Sequence, residues 1–167
     1  MEKVEVIDDN GNVLRIVSRK EAIEKNLKHK AAFVIVKNSN NEFYITQRKN
    51  TKRVYPSLWV TGAGGAVNAG ESYEEAAHRE LLEELGFDSD IIYLFDFNHT
   101  SDVNNYKAKV FVTTYDGEIS IDSKESEQGK WVSEKELIEY MDKDLICPDT
   151  CLYIKEYLMK YARDKNN

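Results

Sequence analysis

Residues 4–7 and 13–17 alternate apolar and polar positions around Asp8-Asp9-Asn10-Gly11-Asn12, a turn composition, and predict an N-terminal β-hairpin. Ser18 with Glu21 three residues on fits a capping box for a short helix, and residues 29–37 then carry Ala-Ala-Phe-Val-Ile-Val, a strand-like apolar run. After a turn at 38–41, residues 42–48 alternate again. Phe43, Ile45 and Gln47 share one side and Tyr44, Thr46 and Arg48 the other, so one of these faces is expected to look away from the core. A basic loop, a short strand over 58–60 and a glycine-rich stretch lead to residues 72–85, the strongest helix of the chain. Ser72 caps it with Glu75 at the third helical position, and Gly86 stands where a left-handed C-terminal residue is wanted. Further strands are expected over 91–98, 106–115 and 130–132. Ser133 with Glu136 caps a short helix, and a terminal helix is expected over 149–163, with Lys160 and Arg163 suited to its negative end. Helices interspersed among strands predict an α/β layered domain.

Composition narrows the class. A chain of 167 residues suits one domain, 1–167, and 41% apolar residues with ten tyrosines exclude a disordered chain. No apolar run approaches the roughly 18 residues needed to span a bilayer, and Met1-Glu2-Lys3-Val4 opens directly into alternating charged and apolar residues, so a cytoplasmic protein is expected. A formal charge of -7 disfavours wholesale nucleic-acid binding and leaves an anionic small molecule to be held by metal ions and a few local cations. The two cysteines, Cys147 and Cys151, lack the neighbours of a zinc site and read as reduced thiols near a helix start. Monomer and homodimer both fit.

On the 72–85 helix, Tyr73, Ala77, Leu81 and Leu85 recur every four residues as a buried stripe, which leaves Glu80, Glu83 and Glu84 sharing another face. Like charges at this spacing cost a few tenths of a kcal/mol per pair, roughly, and a divalent cation reverses the sign. Hard oxygen ligands at this density suit Mg²⁺ or Mn²⁺, the alternative being a solvated acidic face. Upstream, Gly62-Ala63-Gly64-Gly65 and Gly70-Glu71 supply backbone able to come close to a metal or phosphate.

Gly65, five residues, Glu71, seven residues, then Arg79-Glu80-Leu81-Leu82-Glu83-Glu84-Leu85-Gly86-Phe87 resembles a complete Nudix box. At average residue frequencies the defining positions match by chance on the order of once in a billion starts. The box, residues 65–87, is the specific part, and similarity over the rest of the chain is looser. The resemblance implies an α/β/α sandwich around a mixed β-sheet, here with the N-terminal hairpin added. It implies that Glu80, Glu83 and Glu84 bind Mg²⁺, with Mn²⁺ as a substitute, and that the carbonyl of Gly64 joins them. Arg79 would orient the glutamates, and Glu71 and Gly65 would support the loop. The implied activity is hydrolysis of a diphosphate linkage in a small, nucleotide-like molecule. Family members take their base either from the box, here Glu83 or Glu84, or from a later loop, where Glu125 and Glu127 stand ahead of Trp131.

Before the box, Gln47-Arg48-Lys49 and Lys52-Arg53 concentrate positive charge, and Arg48, Lys52 and Arg53 are candidates to contact an outer phosphate, against the reading of a solvated basic loop. Trp59 and Trp131 read as core aromatics rather than base-stacking ones. The order Arg19, His29-Lys30-Ala31, Gln47-Arg48, Pro56-Ser57-Leu58-Trp59 is similar to isopentenyl-diphosphate isomerases and their hydrolase relatives. Isomerases place a Cys and a His in the segment matching residues 59–67, where this chain has Gly64 and Ala66; His29 matches an isomerase metal-ligand position, but the partner histidine expected seven residues earlier is Ala22. His29 therefore reads as a structural residue at a strand start. Isomerisation, and a non-catalytic nucleotide sensor, are the rivals to hydrolysis.

Overall fold

The computed structural model describes residues 2–161 as strands β1 (Lys3–Ile7) and β2 (Val13–Ser18), helix α1 (Arg19–Glu24), β3 (His29–Lys37), β4 (Phe43–Arg48), β5 (Trp59–Thr61), β6 (Ala63–Ala66), α2 (Tyr73–Leu85), β7 (Ile92–Thr100), β8 (Asn105–Thr114), β9 (Ser126–Val132), α3 (Glu134–Asp142) and α4 (Pro148–Tyr161). Arg163, expected in the last helix, lies outside the described residues. Among the described residues no helix is long and apolar enough to cross a membrane.

The strands form one nine-stranded sheet. β1 and β2 make the expected antiparallel hairpin, closed by the Asp8 carboxylate accepting from the amides of Asn10 and Asn12, both at 2.9 Å. β3 is the hub: it pairs antiparallel with β1, β4 and β6 and parallel with β8, from His29 opposite Tyr106 to Lys37 opposite Thr114. That one parallel contact makes the sheet mixed.

Alternation along β3 builds two cores. Ala31 and Ile35 join a cluster with Phe43, Ile45 and the α3 and α4 side chains Leu137, Met141, Tyr153, Ile154 and Tyr157. Ala32, Val34 and Val36 join a second with Tyr44 and the α2 residues Ala76, Ala77, Leu81 and Leu85. Helices thus cover both faces, the expected α/β/α sandwich. Burying each large aliphatic side chain contributes about 1.5–3 kcal/mol, so the two clusters carry most of the hydrophobic stabilisation. The expectation that one face of the 42–48 strand looks outward is overturned. Phe43 and Ile45 face one core and Tyr44 the other, with Thr46 also buried, because packed clusters cover both faces of the sheet at β4.

Two strands depart from the sequence pattern. Ala63–Ala66, read as loop, is β6, paired from Ala63 opposite Val34 to Ala66 opposite Ala31. A Cβ on Gly64 would stand 2.8 Å from the Ala32 carbonyl oxygen and one on Gly65 2.7 Å from Glu80 Oε1, so β6 packs closely on β3 and on α2. β9 starts at Ser126 rather than at 130, since Gln128 and Gly129 pair with Gln47 and Thr46 although neither is apolar. Gly62, between β5 and β6, has φ +60° and would place a Cβ 1.9 Å from the Val34 carbonyl oxygen, so this tight corner admits only glycine.

Candidate active site

Helix α2 starts on Ser72, whose hydroxyl accepts the Glu75 amide at 3.1 Å, and ends on Gly86 at φ 74°. The frame sets Arg79 at the junction of loop, strand and helix. Its guanidinium donates to Glu71 through Nε (2.8 Å) and Nη2 (3.0 Å), to the Ala66 carbonyl through Nη2 (3.0 Å), and to Glu80 (2.9 Å) and Glu83 (3.3 Å) through Nη1. Glu71 also accepts the Asn68 amide at 3.0 Å. Arg79 and the amide hold the Glu71 carboxyl below its ordinary value, and Glu71 in turn raises that of Arg79.

Glu80 is buried, at 7% exposure, and burial raises its pKa. Its carboxyl shares a hydrogen bond with Glu84, which is pushed well up by burial and then by that neighbour and by the charge of Glu125, while the Gly64 amide works in the opposite sense. Burial disfavours charge on both carboxyls at once, and a cation beside them would offset that cost. The backbone is shaped for it: a Cβ on Gly65 would stand 2.7 Å from Glu80 Oε1. These hard-oxygen donors fit a small divalent cation. Glu83 instead turns to Arg79, its side chain 53% exposed, and among the described residues no three His, Cys, Asp or Glu side chains are gathered so as to hold a metal. The structure brings Glu80 and Glu84 together and keeps Glu83 at the edge.

Glu84, Gly64 and Gly65 open into a cavity of about 210 Å³. Arg48 lines it, with Nε anchored on the Val54 carbonyl at 2.9 Å. Glu125 lines it too and is ion-paired with Lys52, which stays outside the lining. Arg53 is exposed away from the cavity, and Glu127 is exposed on β9 where the register with β4 shifts. Trp59 is buried against Tyr140 and Trp131 packs edge-on to Tyr44; neither reaches the cavity. Cys147 and Cys151 are free thiols at the start of α4, as expected.

The cavity holds more than the sequence suggested. His29 does begin β3, yet its ring lines the cavity with Tyr55, Tyr106, Cys147 and Asp149. Alternation could have shown part of this, because His29 shares its side of the strand with Ala31 and Phe33, also in the lining. Burial pushes the Cys147 thiol up to about 12.

Comparison with known proteins agrees with this geometry. The NUDIX domain model matches residues 27–147. An uncharacterized Nudix hydrolase of Pseudomonas aeruginosa is 29% identical over 157 residues, 91% of this chain and 90% of its own. Isopentenyl-diphosphate Delta-isomerase 2 of Photorhabdus laumondii is 27% identical over 133 residues, 77% of this chain and 75% of its own. The crystal structure of DR0079 from Deinococcus radiodurans superimposes with a TM-score of 0.80 at 20% identity, over 93% of this chain and 98% of that one, a likeness of fold. With the family model covering more than half of its length and the Arg79 cluster in place, the chain belongs to the Nudix family and is a pyrophosphohydrolase of that family.

Proposed function

We propose that this enzyme hydrolyses a diphosphate linkage in a small, nucleotide-like molecule, with Mg²⁺ or Mn²⁺ held by Glu80 and Glu84 and reached by Glu83. The observation that carries this reading is the Glu84 carboxyl. It lies beside Glu80 and the Gly64 amide and faces a cavity that also contains Arg48 and Glu125. A divalent cation bound there supplies neutralisation of the phosphate oxygens and acidifies a coordinated water.

The chain's own residues do the rest. Arg79 fixes Glu80 and, through Glu71 and the Ala66 carbonyl, the strand and loop before the helix. Arg48, in the cavity lining, would donate to an outer phosphate oxygen, and Lys52 would act on the site through its ion pair with Glu125. Glu125 is the acceptor for the proton of the attacking water. In that step one phosphorus–oxygen bond forms to water, the bridging bond breaks, and the leaving phosphate departs with the bridging oxygen. Glu127, on the exposed register shift, is the weaker candidate for the base.

One observation favours a second reading. Cys147 and His29 line the same cavity as Glu84, so a thiol and an imidazole are present although neither lies in the segment where isomerases carry them, and a relative over most of the chain is named an isomerase. The buried thiol, with its pKa near 12, is a poor proton donor and a poorer thiolate, which favours hydrolysis. The test is a screen of nucleoside di- and triphosphates, nucleotide sugars, dinucleoside polyphosphates and prenyl diphosphates with Mg²⁺, Mn²⁺ or chelator, with products identified. Metal-dependent phosphate release from any of them supports the proposal, and none across the panel removes it.

A further inference from the structure

The segment that delivers Glu125 to the cavity is strapped across the C-terminal end of α2. Ile119 and Ile121 pack on the core that α2 shares with β3. The Ser120 amide donates to the Leu85 carbonyl and the Asp122 amide to the Glu84 carbonyl, both at 3.0 Å. These are two of the carbonyls that the end of a helix leaves open, so each bond also satisfies a group with no partner inside the helix. Asp122 then starts a tight turn. Its Oδ1 accepts the Lys124 amide at 2.9 Å, and its carbonyl accepts the amides of Glu125 and Ser126, both at 3.0 Å. An aspartate suits this position because its short side chain takes an amide two residues on and so holds the chain in a turn. Beyond the turn, Ser126 opens β9 opposite Arg48, and the Lys49 amide donates to the Glu125 carbonyl at 3.3 Å.

A single residue thus joins the main chains of two site carboxylates: Asp122 donates to the Glu84 carbonyl and accepts from the Glu125 amide. We propose that Asp122 is a positioning residue for hydrolysis, which sets Glu125 against Glu84 through the main chain while lying outside the cavity lining itself. It rests on the hydrolase reading, in which Glu125 takes the proton of the attacking water. The Glu125 side chain is 49% exposed and paired with Lys52, and an ion pair that open to solvent holds its partners weakly. The placement of the carboxylate therefore depends on the turn beneath it. Displacing a reacting group by about 1 Å costs roughly 100-fold in rate, whereas losing one exposed hydrogen bond costs little stability. Rate and stability are expected to part company at Asp122.

The test measures kcat and KM for ribose 5-diphosphate in Mg²⁺ for the wild type, Asp122→Ala, Asp122→Asn, Glu125→Gln and the Asp122→Ala, Glu125→Gln double variant, with the fold of each checked by thermal unfolding. Asp122→Ala should lower kcat by about 10- to 100-fold and leave KM within about twofold. Asp122→Asn keeps the Oδ1 acceptor and should return kcat to within about threefold of the wild type. Once Glu125 has lost its carboxylate its placement no longer matters, so Asp122→Ala should cost less than about twofold more in the double variant. An equal loss in both backgrounds, or a loss in Asp122→Asn as large as in Asp122→Ala, overturns the proposal. Amide hydrogen exchange in the metal-free protein reads the turn without turnover. Exchange at Glu125 and Ser126 should quicken at least about fivefold in Asp122→Ala and keep its wild-type rate in Asp122→Asn. That result supports the placement of Glu125 even where no diphosphate is hydrolysed, an outcome that would remove the hydrolase reading alone. Unchanged exchange in Asp122→Ala overturns the proposal even where hydrolysis is seen.

Discussion

Arg79 grips Glu71 with two hydrogen bonds, Nε to Oε2 at 2.8 Å and Nη2 to Oε1 at 3.0 Å, and both side chains are mostly buried. The fork fixes the entrance loop to the helix that carries the acidic residues. Arg79→Lys keeps the charge but loses the planar pair of donors. It should lower stability by about 2–3 kcal/mol and turnover by at least about tenfold, measured by urea unfolding and by kcat at saturating Mg²⁺. Wild-type stability in that variant would show that the fork does not hold the loop.

The same contact sets an acid limit. Folding lowers the Glu71 pKa, so the folded state binds that proton more weakly than the unfolded chain does. Its stabilisation is complete above the unfolded value of about 4.5 and is lost as pH falls through the lower folded value. Glu71→Gln should therefore lower Tm at pH 7 and lose that deficit progressively below pH of about 4.5. A deficit independent of pH would mean that packing, not charge, is what Glu71 contributes.

Glu84→Gln and Glu80→Gln should each reduce turnover by at least about a thousandfold, or roughly 4 kcal/mol of transition-state stabilisation. Without metal both variants should unfold at or above the wild-type temperature, because each removes one of two buried groups that repel when ionised. Near-normal Mg²⁺-dependent turnover in both folded variants would eliminate the assigned metal site.

Glu125 and Glu127 separate by position. Both are exposed, but Glu125 lines the cavity and is held by Lys52, whereas Glu127, on β9, is outside the lining. Glu125→Gln should lower kcat by about a hundredfold or more, and Glu127→Gln by less than about twofold, in parallel kinetics with one substrate. The reverse order would move the base to β9.

What the sequence revealed follows the range of the interactions involved. The Arg79-Glu80-Leu81-Leu82-Glu83-Glu84 run, the Ser72 cap and the Gly86 stop act within one helix, and each stands where local spacing put it. β6 was hidden because Ala63-Gly64-Gly65-Ala66 has little strand propensity of its own. It is a strand because β3 supplies the hydrogen bonds across the full length of β6. The part of the cavity lining beyond the Nudix box was hidden for a related reason. His29, Tyr106 and Asp149 come from β3, β8 and α4 and meet only once the parallel β3–β8 pairing is made. The expected exposed face of β4 failed because alternation shows which residues share a side, not how many layers cover the sheet.

The most direct test follows one enzyme preparation by phosphorus and proton NMR together, with ribose 5-diphosphate and isopentenyl diphosphate, in Mg²⁺ and then in excess chelator. The account predicts that the diphosphate signals give way to monophosphate ester and inorganic phosphate in Mg²⁺, that this stops in chelator, and that the prenyl double bond stays where it was. Migration of the double bond without phosphate release would contradict the account.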